Sequence, residues 1–298
     1  MRIAIVGCGY VGSALASHWQ QQARHWLRVT TTRSERLAEL APLAADVQLL
    51  DAADPDQLRQ VLESTEAAVF CLAPGGSRQV DADGYEATYL RSMEAVAAVV
   101  PQLPMLQQLV YTSSCSVYGE ATGLVEETTT PQPLEPHARI LRDAEELLLS
   151  CRAPHRRVAI VRLGAIYGPR RELEPRFRSL AGKRRQGDGS SLISWIHRDD
   201  VVMALAWAVE QGFDGLLNLV DDEPISVREL VDRSCRAAGL EPVIWDGDAA
   251  SPAEGAGPAT GRRISNRRLR ELGLELQHPR LPILAAPPGP GAESQPPS

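Results

Sequence analysis

Lysine is almost absent from this chain: Lys183 is the single one in 298 residues, and the positive charge is otherwise arginine. That scarcity removes lysine from most catalytic arguments. Cysteine is sparse and unpaired in sequence, with Cys8, Cys71, Cys115, Cys151 and Cys235 scattered and no C-x-x-C. The pattern excludes a disulfide frame and a zinc site, so no metal is expected, and it fits small buried hydrophobes in a reducing compartment. Positive charge is not in excess either, because the net charge of −7 argues against a nucleic-acid partner. No run reaches the uninterrupted apolar length of a membrane span, and Met1 leads into an apolar segment without a signal sequence. A soluble, cytoplasmic protein with no membrane partner is expected.

What is present begins at once. Arg2-Ile3-Ala4-Ile5-Val6 reads as a buried strand, and it runs into Gly7-Cys8-Gly9-Tyr10-Val11-Gly12 and then a helical stretch to Gln22. Strand, glycine turn and helix in this order are the context that a dinucleotide-binding G-x-G-x-x-G requires. Gly7 permits the tight turn, Gly9 lets the backbone approach a pyrophosphate, and Gly12 lets helix and strand pack closely. Tyr10 and Val11 open the helix, whose N-terminal N–H groups suit phosphate.

Short apolar runs then alternate with helical patterns. Strands are expected at Ile3–Val6, Leu27–Thr31, Val47–Leu50, Ala67–Leu72 and Gln108–Thr112, with helices at Tyr10–Gln22, Ser34–Ala41, Pro55–Glu63 and Asp83–Val100. Helix Arg139–Cys151 and strand Arg157–Leu163 add a sixth unit. This alternation predicts an α/β Rossmann-type doubly wound parallel sheet over residues 1–165. Beyond Gly168 the pattern loosens into Glu172–Leu180, Leu192–Trp195, Asp199–Glu210, Leu216–Leu219 and Ser226–Ala238. Residues 166–278 are therefore expected to form a small mixed cap, interleaved with the sheet. Residues 279–298, rich in Pro, Gly, Ala and Ser, are expected to be a disordered tail, and 246–261 a surface loop.

The end of the second strand decides the cofactor. An NAD-preferring protein places an acid there for the ribose 2′-hydroxyl, but the sequence reads Thr31-Thr32-Arg33-Ser34. A cation flanked by hydroxyls matches a 2′-phosphate, so NADP(H) is expected over NAD(H). Asp51 after the third strand, Leu72-Ala73-Pro74 after the fourth, Thr112 and Leu163 complete the expected cofactor contacts, since site residues concentrate at such strand ends.

The next sheet edge carries Tyr111-Thr112-Ser113-Ser114-Cys115-Ser116-Val117-Tyr118-Gly119. With the glycine turn, this resembles the extended short-chain dehydrogenase/reductase superfamily, which contains nucleotide-sugar epimerases and dehydratases. Val161 to Pro169, the segment Trp195-Ile196-His197-Arg198-Asp199-Asp200 and Asn218 to Ser226 are similar to later motifs of that family, in order. The resemblance implies a small-molecule substrate, contacts to it from Tyr167, Arg170 and His197, and pairing into a homodimer through the helices at Asp83–Val100 and Arg139–Cys151.

It also implies a serine and a Tyr-x-x-x-Lys helix, in which the lysine charge lowers the phenol pKa while the serine holds the same substrate oxygen. Ser114 falls at the serine. Registering on Pro136 and Glu145, however, puts His137 at the tyrosine and Leu141 at the lysine, and none of the six tyrosines has lysine four residues on. Three readings follow: His137 acts as acid and base, with Arg139 or Arg142 in the lysine's place; Tyr111 or Tyr118 serves; or the dinucleotide is held without turnover. The family's arginine for a diphosphate is Ile193 here, while Arg170, Arg171 and the 182–189 loop still supply cations. The leading expectation is an NADP(H)-dependent epimerase- or reductase-type enzyme acting on a sugar-like or other polyhydroxylated molecule. The alternative is a catalytically silent cofactor-binding regulator or assembly protein.

Overall fold

The chain folds around a sheet of seven parallel strands. The computed structural model describes residues 1–75, 80–173, 177, 179–247 and 261–282. In the sheet, β1 (Arg2–Val6) lies between β2 (Trp26–Thr31) and β4 (Ala67–Phe70), with Ile5 in register with Val29 and Val69. All four residues of β4 are buried, as expected of a parallel strand covered on both faces. Beyond it stand β5 (Gln108–Ser114), β7 (Arg157–Leu163) and β12 (Gly215–Leu219), while β3 (Asp46–Leu49) closes the opposite edge.

Helices cover both faces. On one, α1 (Tyr10–Gln22) and α7 (Arg198–Glu210) bury Leu15, Trp19, Val201 and Leu205 against β1, β2 and β7. On the other, α3 (Pro55–Leu62), α5 (Arg91–Val99) and α6 (Pro136–Ser150) bury Leu58, Val61, Met93, Val96, Ala144 and Leu148. Chain order fixes the crevice: β1 and β4 lead to helices on opposite faces, and ligands of such sheets bind beyond the carboxyl ends at this switch point. The expected Rossmann architecture is present.

Part of the chain beyond residue 166 also joins the sheet. Strand β12 adds the seventh strand beside β7, and α7 packs back on α1, where the Trp19 indole donates to Glu210 at 3.1 Å. The rest of the region is a cap: β8 (Ala165–Tyr167) pairs in parallel with β11 (Trp195–His197), β10 (Leu192–Ile193) pairs with β13 (Ile225–Ser226), and α8 (Val227–Ala237) leans on them. Two short parallel pairs tie outlying loops together, β9 (Arg184–Arg185) with β14 (Ile244–Trp245) and β6 (Gly123–Val125) with β15 (Arg262–Ile264).

Three expectations need correction. The Ser34–Ala41 helix is broken into a 3₁₀ turn, Ser34–Arg36, and the single turn α2 (Leu37–Leu40), because Leu40 alone is fully buried there. The Asp83–Val100 helix is interrupted: α4 (Ala82–Tyr85) passes through a π-helical turn at Glu86–Leu90 before α5 begins. The tail does not begin at Pro279, because its carbonyl accepts from the Asp222 N–H at 2.9 Å and Leu281 is wholly buried beside Trp195 and Phe177. Residues 283–298, most of the 246–261 loop, and residues 174–176 and 178 of the expected Glu172–Leu180 helix lie outside the described residues. All five cysteines are buried and unpaired, and no helix among the described residues is long and apolar enough to cross a membrane.

Candidate active site

At the carboxyl end of β1 the glycines divide their labour by what surrounds them. Gly7 has φ +93° and a Cβ there would stand 2.7 Å from the Cys71 carbonyl oxygen; a Cβ on Gly12 would stand 2.3 Å from the Gly7 oxygen. Neither position admits a side chain. Gly9 differs, since among the described residues no atom beyond its chain neighbours lies within 4 Å of its added Cβ. It is the N-cap of α1 and supplies no capping side chain, so the first N–H groups of the helix face this open space. Close packing behind and vacancy in front are what a pyrophosphate at a helix N-terminus requires, and the residues fit a nicotinamide dinucleotide. The Val11 side chain lies in the core, so only its backbone faces the turn. Thr30 fixes the loop, with its hydroxyl accepting from Gly7 N at 3.1 Å and its carbonyl from Cys8 N at 2.8 Å.

The rim beyond β2 carries two guanidinium groups. Arg33 is exposed and has only a loose pairing with Glu35 at 3.9 Å; Thr32 and Ser34 beside it are exposed too. Arg36, which the sequence reading missed, folds back over the glycine turn. It donates to the Cys8 carbonyl and to Ser13 Oγ (3.3 Å) and pairs with Glu39 at 2.8 Å. Nothing in the local pattern distinguishes Arg36 from a solvated helix arginine. Asp51 turns inward on its own loop and accepts from Ala53 N. Leu72, Ala73 and Pro74 follow β4 at the crevice, and Leu163 is buried in register with Ser114.

A cavity of about 590 Å³ opens at the ends of β4 and β5. Thr112, Ser114, Tyr85, Tyr89, His137, Leu141 and Arg262 are among its walls, so the structure brings together Ser114 and His137, two residues from different elements. Thr112 is held by the Phe70 carbonyl at 3.1 Å, and Ser114 Oγ accepts from Ser116 N at 3.1 Å. His137 Nε2 lies 2.9 Å from the Val80 carbonyl oxygen. A carbonyl only accepts, so Nε2 carries the proton and Nδ1 of the neutral ring is the acceptor. Leu141, in the lysine slot, is buried and apolar. Tyr85, Tyr89 and Arg262 were not anticipated: Tyr85 ends α4, Tyr89 lies in the π-helical turn after it, and the arginine comes from a strand far along the chain. Arg262 spends one nitrogen on the Gly119 carbonyl at 2.8 Å.

Tyr118 is not part of this cavity. It is fully buried and its hydroxyl donates to Asn218 Oδ1 at 2.7 Å, beneath the Arg162 guanidinium. Tyr111 is likewise sealed in the core. Tyr167 and His197 sit with Tyr10 instead: a Cβ on Gly168 would lie 2.9 Å from His197 Nε2 and 3.2 Å from the Tyr10 hydroxyl, and Arg171 covers the Tyr10 ring at 4.2 Å. Arg170 is exposed beside them, its N–H donating to Glu172. His197, Asp199 and His278 place their ligating atoms within 4.8 Å of one another. Two of the three side chains are already engaged, because His197 Nδ1 accepts from Asp199 N at 3.2 Å as the α7 cap and Asp199 pairs with Arg198. Burial and the neighbouring His278 push the His197 imidazole below its ordinary value, which favours the neutral acceptor that a cap needs.

This geometry has relatives. Over 288 residues the chain is 29% identical to protein YeeZ of Escherichia coli strain K12, covering 93% of this chain and 96% of that one. Its fold superposes on UDP-glucuronic acid 4-epimerase from Bacillus cereus in complex with NAD, with a TM-score of 0.72 at 18% identity over 93% and 94% of the two chains. It matches similarly a functionally unknown conserved protein from Silicibacter pomeroyi DSS, with a TM-score of 0.70 at 23% identity over 94% and 95%. Residues 3–218 match the model of the NAD dependent epimerase/dehydratase family, and the chain belongs to that family.

Proposed function

We propose that the protein binds NADP(H) and carries out epimerase- or reductase-type chemistry on a sugar-like or other polyhydroxylated small molecule. The observation that carries this reading is the juxtaposition of Ser114 and His137 on one cavity at the carboxyl edge, beside a glycine turn shaped for a dinucleotide. The bound dinucleotide would supply hydride exchange at a carbinol carbon. Gly7, Gly9 and Gly12 seat its phosphates, and Arg33 with Arg36 faces the adenosine end, where two guanidinium groups suit a 2′-phosphate. Ser114 holds the substrate oxygen, and the acceptor nitrogen of His137 takes up the proton that the site must release. Ser116, Glu120 and Arg262 on the same walls suit a hydroxyl-rich ligand.

Calorimetry with NADPH and NADH tests the cofactor. NADPH is expected to bind at least about tenfold more tightly, and Arg33→Ala with Arg36→Ala to erase the difference; equal affinities for the wild-type protein refute the preference. Turnover is tested on sugar nucleotides, sugars and carbonyl compounds, where Ser114→Ala is expected to lower kcat about a hundredfold. Leu141 in the lysine slot favours the second reading, a silent cofactor-binding regulator. That reading gains if the wild-type protein turns over nothing on the panel yet captures a partner only with dinucleotide bound.

A further inference from the structure

The family's reaction needs a phenol, and the helix that should offer one offers His137. We propose that Tyr85, which packs against His137 on the cavity wall, is the catalytic phenol of this site, with His137 as its proton partner. The inference rests on the functional reading above and assigns the residue that touches the substrate oxygen together with Ser114.

The six tyrosines separate cleanly. Tyr111 is fully buried in the core, and Tyr118 is fully buried with its hydroxyl given to Asn218. Tyr10 and Tyr167 lie at the other cluster, beside His197. Tyr89 lines the cavity but packs against two core clusters, where Tyr85 packs against one, and burial pushes the Tyr89 phenol well above the ordinary value. Tyr85 is half-buried, lines the cavity with Ser114, and sets its ring 4.4 Å from the His137 imidazole at 85°. The π-helical turn at Glu86–Leu90 begins directly after it, the kind of helix irregularity that accompanies functional sites, and stacks Tyr85 on Tyr89 at 5.1 Å. Nε2 of His137 is spent on Val80, so Nδ1 is the nitrogen left to exchange a proton with the phenol.

The step balances with an oxidised dinucleotide as co-reactant. The carbinol O–H breaks and its proton goes to the phenolate oxygen of Tyr85; the C–H breaks and its hydrogen leaves with the electron pair for the nicotinamide; a C=O forms. The phenolate forms when the Tyr85 phenol passes its own proton to Nδ1 of the neutral His137 ring, which then gives that proton up to solvent, so one proton and one hydride leave the carbinol in all.

Two measurements on the full chain test the assignment. Nitration by tetranitromethane, followed by peptide mass spectrometry, requires no substrate: Tyr85 is expected to react first of the six, and His137→Gln to slow it about threefold or more. Nitration of Tyr85 no faster than that of Tyr118, or at a rate unaffected by His137→Gln, overturns the pairing. On any compound the wild-type protein turns over, Tyr85→Phe, which keeps the ring packing, is expected to lower kcat about a hundredfold and remove the dependence of the pH profile on His137, with dinucleotide affinity unchanged. Wild-type kcat in Tyr85→Phe overturns Tyr85 alone. Failure of the wild-type protein on every compound overturns the functional reading beneath it and the catalytic role together.

Discussion

Gly9 and Gly12 belong to one motif, yet their surroundings assign them different physical jobs, and the difference is measurable. A methyl at position 12 would collide with the Gly7 carbonyl at 2.3 Å, so Gly12→Ala must push α1 off β1. Such overpacking costs about 1–3 kcal/mol or more. A methyl at position 9 meets no atom of the described residues beyond its chain neighbours. Gly9→Ala is therefore expected to lower the urea midpoint less than Gly12→Ala does while weakening dinucleotide binding about tenfold or more, because the space it fills is the ligand's. Gly12→Ala is expected to lower both. If calorimetry finds Gly9→Ala binding NADPH as well as wild type, the open side of the turn is not where the phosphates sit. The glycine roles were legible in the sequence because the motif is local. Arg36 was not, since its meaning depends on a turn 28 residues earlier that only the fold brings beneath it.

Among the elements, those governed by short-range chemistry were readable in advance. Asp54 caps α3 by accepting from Asp56 N and Gln57 N, with Pro55 in the first turn, and Ser226 caps α8 by accepting from Glu229 N. The π-helical turn after Tyr85 was not readable, because helical periodicity says nothing of one inserted residue. Glu145 shows the same limit. In sequence it is a register mark on α6; in the structure it receives a bidentate pair from Arg162 on β7, with contacts of 2.6 to 3.2 Å and both side chains at most 3% exposed. Breaking such a buried pair strands one charge, so Glu145→Gln is expected to cost about 3–5 kcal/mol in urea unfolding. A loss below about 1 kcal/mol would mean that α6 is held on the sheet by Ala144 and Leu148 alone. Because α6 also carries His137, the pair positions the cavity wall as well as the core.

At the scale of the whole molecule, the point where cap, sheet and C-terminal segment meet is a buried carboxyl group, that of Asp221. Asp221 follows β12; its N–H donates to the Trp195 carbonyl at 2.7 Å, and the next residue binds the Pro279 carbonyl. Its side chain is 3% exposed, and neither oxygen has a hydrogen-bond partner among the described residues. Burial first, and the nearby Asp222 and Glu223 after it, push this carboxyl up to about 8 from an ordinary 3.8. Between those values the unfolded chain has released the proton and the folded chain still holds it, so the folded state binds more protons and stability falls as pH rises. The limiting slope is about 1.4 kcal/mol per pH unit, an upper bound that relaxation of the cap reduces. Asparagine has nearly the same shape and does not titrate. Asp221→Asn is thus expected to flatten the decline of the urea midpoint between about pH 4 and 8 and to exceed wild type most at the alkaline end. Parallel profiles for the two proteins would show that water or a shift of the Gln277–Leu281 segment already relieves the charge. Sequence alone placed Asp221 in a loop similar to the family's turn into its late helix; the docking of Pro279 and Leu281 over the cap is what makes it a buried acid.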